Sequence, residues 1–124
     1  MKMLFLLPLL AIASTATAGE FERRVALAKA AAATREGFIY DTAMVPAIHH
    51  AIVPCVPKGT DPGRGGEFVL VATVDGRGRV SAIDMRPASP FARCFARTFR
   101  AMTLRAPPKR SGGWPILVEM ETRR

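Results

Sequence analysis

An α+β fold, a small antiparallel three-stranded sheet packed against helices, is what the sequence predicts, and three stretches predict it. Residues 67–86 hold two β-rich runs joined by Asp75-Gly76-Arg77-Gly78, where two glycines tolerate positive φ between runs of alternating polarity. That is the strongest short-range hairpin signal in the chain. Residues 90–104 place Phe91, Phe95, Phe99 and Met102 on one side of a helix and Arg93, Arg97 and Arg100 on the other, a helical period of 3.6. Residues 114–122 then alternate again, with Ile116, Val118 and Met120 on one face.

In chain order, residues 1–18 read as a leader. Lys2 gives a weakly positive start, an apolar run follows to Ala13, and Ala16-Thr17-Ala18 supplies small residues for cleavage after Ala18. An uncleaved anchor is the alternative, but the run is shorter than the roughly 20 residues a spanning helix needs and contains Pro8. Residues 20–36 are rich in alanine and charged helix formers with Gly37 as a C-cap, so a helix is expected there, docked on the domain or loose. A second helix is expected to begin near Asp41 or at Pro46, to gather Met44, Ile48, Ala51 and Ile52 on one face, and to end at Pro54. The resulting division is a leader at 1–18, a helical segment at 19–40 and an α+β domain at 41–124.

Residues 57–66, with four Gly and two Pro, read as a loop. The hairpin strands are expected at 67–75 and 79–86. In the second, Val80, Ile83 and Met85 are spaced by three and then two, which predicts a β-bulge around Ser81-Ala82. Ser89 and Pro90 suit the N-cap and first position of the amphipathic helix. Pro115 argues for a strand start or an edge in the last strand, since it cannot donate to a ladder.

The chain is 124 residues long with a formal net charge of +8, of which cleavage of the leader would leave +7. Such an excess favours anionic partners such as lipid headgroups or envelope polysaccharide. Nucleic acid is not expected, because an exported chain rarely meets it and no exposed aromatics interleave with the arginines. The stripe Arg93, Arg97 and Arg100, with Arg105, Lys109 and Arg110 after it, is the densest charge feature, and Arg93, Arg97, Arg100 and Arg105 are the candidate anion-binding residues, beside the plainer reading of a solvated helix face.

Two cysteines, Cys55 and Cys94, are expected to be bridged in an oxidising compartment; their separation of 39 is unlike the C-x-x-C of a redox site. His49 and His50 are adjacent, so on a helix they point about 100° apart and do not share a metal. Asp41, Asp75 and Asp84 are isolated carboxylates with structural roles open to them: a helix cap, the hairpin turn and the outer face of a strand. No nucleophile, base and stabiliser come together in any recognisable motif, so no catalytic residue, metal or cofactor is assigned.

The element order and a set of turn and core residues carry a resemblance. Val74-Asp75, Gly78-Arg79-Val80 with Ile83 and Met85, the segment from Met102 to Pro108, and Gly113-Trp114-Pro115-Ile116 resemble the C-terminal domain family of TonB, the periplasmic energy transducers. The likeness covers residues 68–121, about half of the chain that cleavage would leave. The transducers keep a membrane anchor and a long Pro-rich spacer, whereas here the leader is expected to be cleaved and no such spacer is expected, and the cysteine pair and preceding helices look like small secreted relatives of that family. What the resemblance implies is a sheet whose exposed edge could accept a partner strand. The expectation is therefore a periplasmic or secreted, disulfide-braced, non-catalytic module that binds an envelope protein. The alternative is a cationic envelope protein that holds an anionic lipid or polysaccharide through its arginine-rich helix.

Overall fold

The computed structural model describes residues 19–56 and 66–121. The leader expected at 1–18, most of the glycine-rich loop and residues 122–124 lie outside them. The described chain is α+β: helices α1 (Glu20–Ala32) and α2 (Arg35–Ile52), a 3₁₀ turn at Val53–Cys55, strands β1 (Phe68–Val74) and β2 (Val80–Arg86), helix α3 (Pro90–Arg100) and strand β3 (Trp114–Met120). The sheet order is β2-β1-β3, antiparallel throughout.

The hairpin forms where the glycines placed it. The Asp75 carboxylate accepts from the amides of Arg77 and Arg79, both at 2.9 Å, and Gly78 takes a positive φ of 84°. A Cβ on Gly78 would stand 1.9 Å from the Leu104 carbonyl oxygen. The position therefore needs glycine for its conformation and for the approach of the 101–104 segment, whose Leu104 amide donates to the Gly78 carbonyl. The expected bulge is present. Between the pairs Val71 with Asp84 and Thr73 with Ser81, β2 carries one residue more than β1, and Ala82 there has φ 53°.

The even-numbered residues of β1, Phe68, Leu70, Ala72 and Val74, share a core with Phe95 and Phe99 of α3, with Tyr40, Met44 and Ala51 of α2, and with Trp114, Ile116 and Val118 of β3. Phe95 and Phe99 are stacked with centroids 5.2 Å apart and are fully buried. Tyr40 stands edge-on to Trp114 and donates its hydroxyl to the Arg105 carbonyl at 2.8 Å, and the Thr98 hydroxyl of α3 donates to the Ala51 carbonyl of α2. The Cys55–Cys94 disulfide ties the end of α2 to α3.

The opposite face of the sheet, with Val71 and Thr73, is crossed by α1. Phe21 lies under the Arg86 guanidinium of β2 at 4.6 Å, Arg24 donates to the Ala82 carbonyl at the bulge, and Leu27 stands beside Val71. Beyond them α1 runs close to β3, where Ala28 and Ala31 are buried. The first helix is thus docked, and the sheet has helices on both faces.

Three expectations are corrected. The first helix stops at Ala32, because the Thr34 hydroxyl donates to the Ala31 carbonyl and accepts from the Gly37 amide, ending α1 and capping α2 with one group. Gly37 is no C-cap; it lies in the first turn of α2, where a Cβ would meet the Ala31 oxygen at 1.9 Å. The second helix begins at Arg35, so it runs through the expected 40/41 boundary and carries Pro46 in its interior. The hydrogen bond that Pro46 removes belongs to the exposed side of the helix, where water can serve the freed carbonyl. Finally, α3 ends at Arg100 rather than Leu104, because Thr103 bridges to Arg79.

Candidate functional site

β1 is central, so β2 and β3 are the edges of the sheet, and β3 has no strand on its outer side among the described residues. A cleft of about 250 Å³ runs beside it, lined by all of 116–120 together with Asp41, Met44, Ile48 and Phe99. Successive residues of a strand point to opposite faces. Five in a row can line one cleft only where the backbone edge is itself a wall. Opposite that wall stands α2, and Phe99 closes the inner end of the cleft.

The floor is apolar, with Met44 and Phe99 buried and Ile48 and Met120 half-buried. The charged side chain on this face of the cleft is Asp41, in a chain whose net charge is +8; Glu119 also borders the cleft, but it alternates with Val118 and Met120 and its side chain belongs to the α1 face of the sheet. Asp41 is the seventh residue of α2, too far from the N-terminus for the capping role open to it in the sequence. Its half-buried carboxyl is pushed above the usual carboxylate range by desolvation, and among the described residues it has no hydrogen-bond donor and no ion-pair partner.

The arginines singled out in the sequence lie elsewhere. Arg93, Arg97 and Arg100 are exposed on the outer side of α3, and Arg105 is exposed in the connection to β3. Arg93 is turned to the Ala88 carbonyl at 2.6 Å. A second basic grouping, of which only Arg110 was singled out in the sequence, is formed by Arg23, Arg24 and Arg110, which line a cleft of about 280 Å³ between α1 and the turn before β3. Arg23 is held there by Glu20 at 2.7 Å. Only the docking of α1 brings these residues together, and no spacing in the sequence signals it.

His49 and His50 are exposed on α2, and no group of three potential metal ligands occurs among the described residues. Asp84 receives the Met85 amide and pairs with Arg86 at 2.7 Å, a contact within its own strand. No helix of the described residues is long and apolar enough to cross a membrane. The outward side of α2 exposes Phe38, Ile39 and Val45, which the sequence reading did not single out. Comparison with protein-family models, with curated proteins and with solved structures finds no match.

Proposed function

We propose that the chain is a non-catalytic protein-binding module of the cell envelope that takes a segment of its partner as an added strand along β3. The cleft beside the free edge of β3 carries this reading. An edge strand offers unpaired backbone donors and acceptors to any extended segment, and side-chain pockets alongside it give such pairing its selectivity. Here Met44, Ile48 and Phe99 supply that pocket. The resemblance of residues 68–121 to the TonB C-terminal domain family supports the same mode of binding. The Cys55–Cys94 bridge fits a non-reducing compartment, as does the leader-like sequence of residues 1–18.

A second reading is favoured by the exposed row Arg93, Arg97 and Arg100, which no carboxylate of α3 neutralises. On that reading the helix holds an anionic lipid or polysaccharide.

Salt and two variants separate them. The oxidised chain is used as bait in native envelope extract and washed at low and then moderate ionic strength, beside Ile48→Glu and a triple Arg93→Gln, Arg97→Gln, Arg100→Gln variant, each checked for its fold by near-UV circular dichroism. Strand addition predicts a protein that stays bound through the salt step on the wild type and the triple variant and is lost from Ile48→Glu. Anionic lipid or polysaccharide alone, released at moderate salt and absent from the triple variant, would replace the first reading by the second.

A further inference from the structure

We infer that the cleft beside β3 selects a partner strand that carries a lysine or arginine between apolar residues, with Asp41 as the counter-ion. This rests on the reading that the edge of β3 accepts a strand, and it adds what that strand must contain. The observations are the apolar walls of the cleft and, among them, one carboxylate with no partner among the described residues.

Asp41 is a poor choice for the middle of a helix on propensity alone. It caps nothing, pairs with nothing among the described residues, and is half-buried beside Met44 and Ile48. A carboxylate in that position is held at a cost, since burial disfavours its charged form. A cation laid over it by a bound strand would reverse that cost, and the surrounding apolar walls strengthen the attraction by excluding water. A partner with a carboxylate at this point would meet a like charge. The remainder of the chain is basic, so the preference is local to the cleft and runs against the long-range field of the molecule.

Side chains of an added strand reach the cleft at every second position. A basic residue flanked at i−2 and i+2 by apolar ones would set its charge at Asp41 and its neighbours over Met44, Ile48 and Met120.

The test uses the isotope-labelled, oxidised full chain and three capped heptapeptides at 0.15 M salt: Thr-Val-Thr-Lys-Thr-Val-Thr and its counterparts with Gln or Glu in place of Lys. The backbone amide shifts of residues 116–120 report binding at the edge, and their titration gives Kd. The Lys peptide is expected to bind about fivefold tighter than the Gln peptide, the scale of an ion pair at a half-exposed site, with the Glu peptide weakest. Asp41→Asn should bring the Lys and Gln peptides together and, because it relieves a desolvated charge, should not lower the thermal midpoint at pH 7. Equal affinities for Lys and Gln, with shifts at 116–120, would overturn this inference and leave strand addition standing. A Lys preference that survives Asp41→Asn and disappears in Glu119→Gln would overturn the assignment to Asp41. Absence of shifts at 116–120 with all three peptides would remove the strand-addition reading, and this inference with it.

Discussion

Two residues with left-handed backbone conformations respond oppositely to the same kind of change. Ala82, at φ 53°, carries a Cβ in a region that disfavours one, and its carbonyl is turned to Arg24 rather than into the ladder. An L-residue there costs about 1 to 2 kcal/mol, against the extra chain entropy of glycine, about 0.5 to 1. Ala82→Gly is therefore expected to raise stability by about 0.5 to 1 kcal/mol. At Gly78 the left-handed φ coincides with backbone contact to Leu104, so Gly78→Ala should lower stability by about 2 kcal/mol or more. Urea midpoints of the two variants check both signs. The spacing of Val80, Ile83 and Met85 announced the bulge; which residue would take the unusual φ was not legible. Asp41 was legible only as an isolated carboxylate, and its place in a cleft depends on β3, more than 70 residues further along the chain.

At the scale of the element, the hairpin is held by a carboxylate that works only while ionised. Hydrogen bonds from the Arg79 and Arg77 amides hold the Asp75 carboxyl below its usual range. The folded value lies below the unfolded one, near 3.9, so the contribution is fully present above that value and is lost as pH falls through the folded one. Asp75→Asn should lower the urea midpoint at pH 7 and approach the wild type at pH 3; an equal deficit at both would show that the charge is immaterial. α3 was readable in the sequence because its period separates Phe95 and Phe99 from Arg93 and Arg97 and because Ser89 caps it, its hydroxyl accepting from the Ala92 amide. The boundary between α1 and α2 was not readable. A run of alanines followed by Thr34 and two charged residues fits one helix by propensity. Propensity has no term for the Thr34 hydroxyl serving both helices or for Gly37 lying against Ala31.

For the molecule as a whole, the disulfide ties together the two helices that cover one face of the sheet. Cys55 and Cys94 have Cα atoms 5.8 Å apart and close a span of 39 residues that includes β1 and β2. In the chain-entropy account such a loop contributes about 3 to 4 kcal/mol. The Cys55→Ser/Cys94→Ser variant should lose that much in denaturant unfolding, and the reduced wild type should match it. A smaller loss would mean that α2 and α3 are already fixed by Thr98, Ala51 and the core beneath them. The layers set the site as well. With α1 across one face and α2 and α3 across the other, both faces of the sheet are occupied, which leaves the outer edges of β2 and β3 without a strand partner among the described residues, and the cleft lies beside that of β3.

By itself the sequence determined the α+β class, the hairpin and its bulge, the two-sided helix and the cysteines that pair, because each depends on local period, turn chemistry or a small set of partners. Tertiary structure alone decided that α1 docks, that α2 begins at Thr34's cap, and that Met44, Ile48 and Phe99 meet β3 around Asp41. Those outcomes depend on contacts between segments far apart in the chain, and the same apolar periods would be compatible with several packings. Burial, hydrogen-bond satisfaction and the close approach at Gly37 and Gly78 select among them.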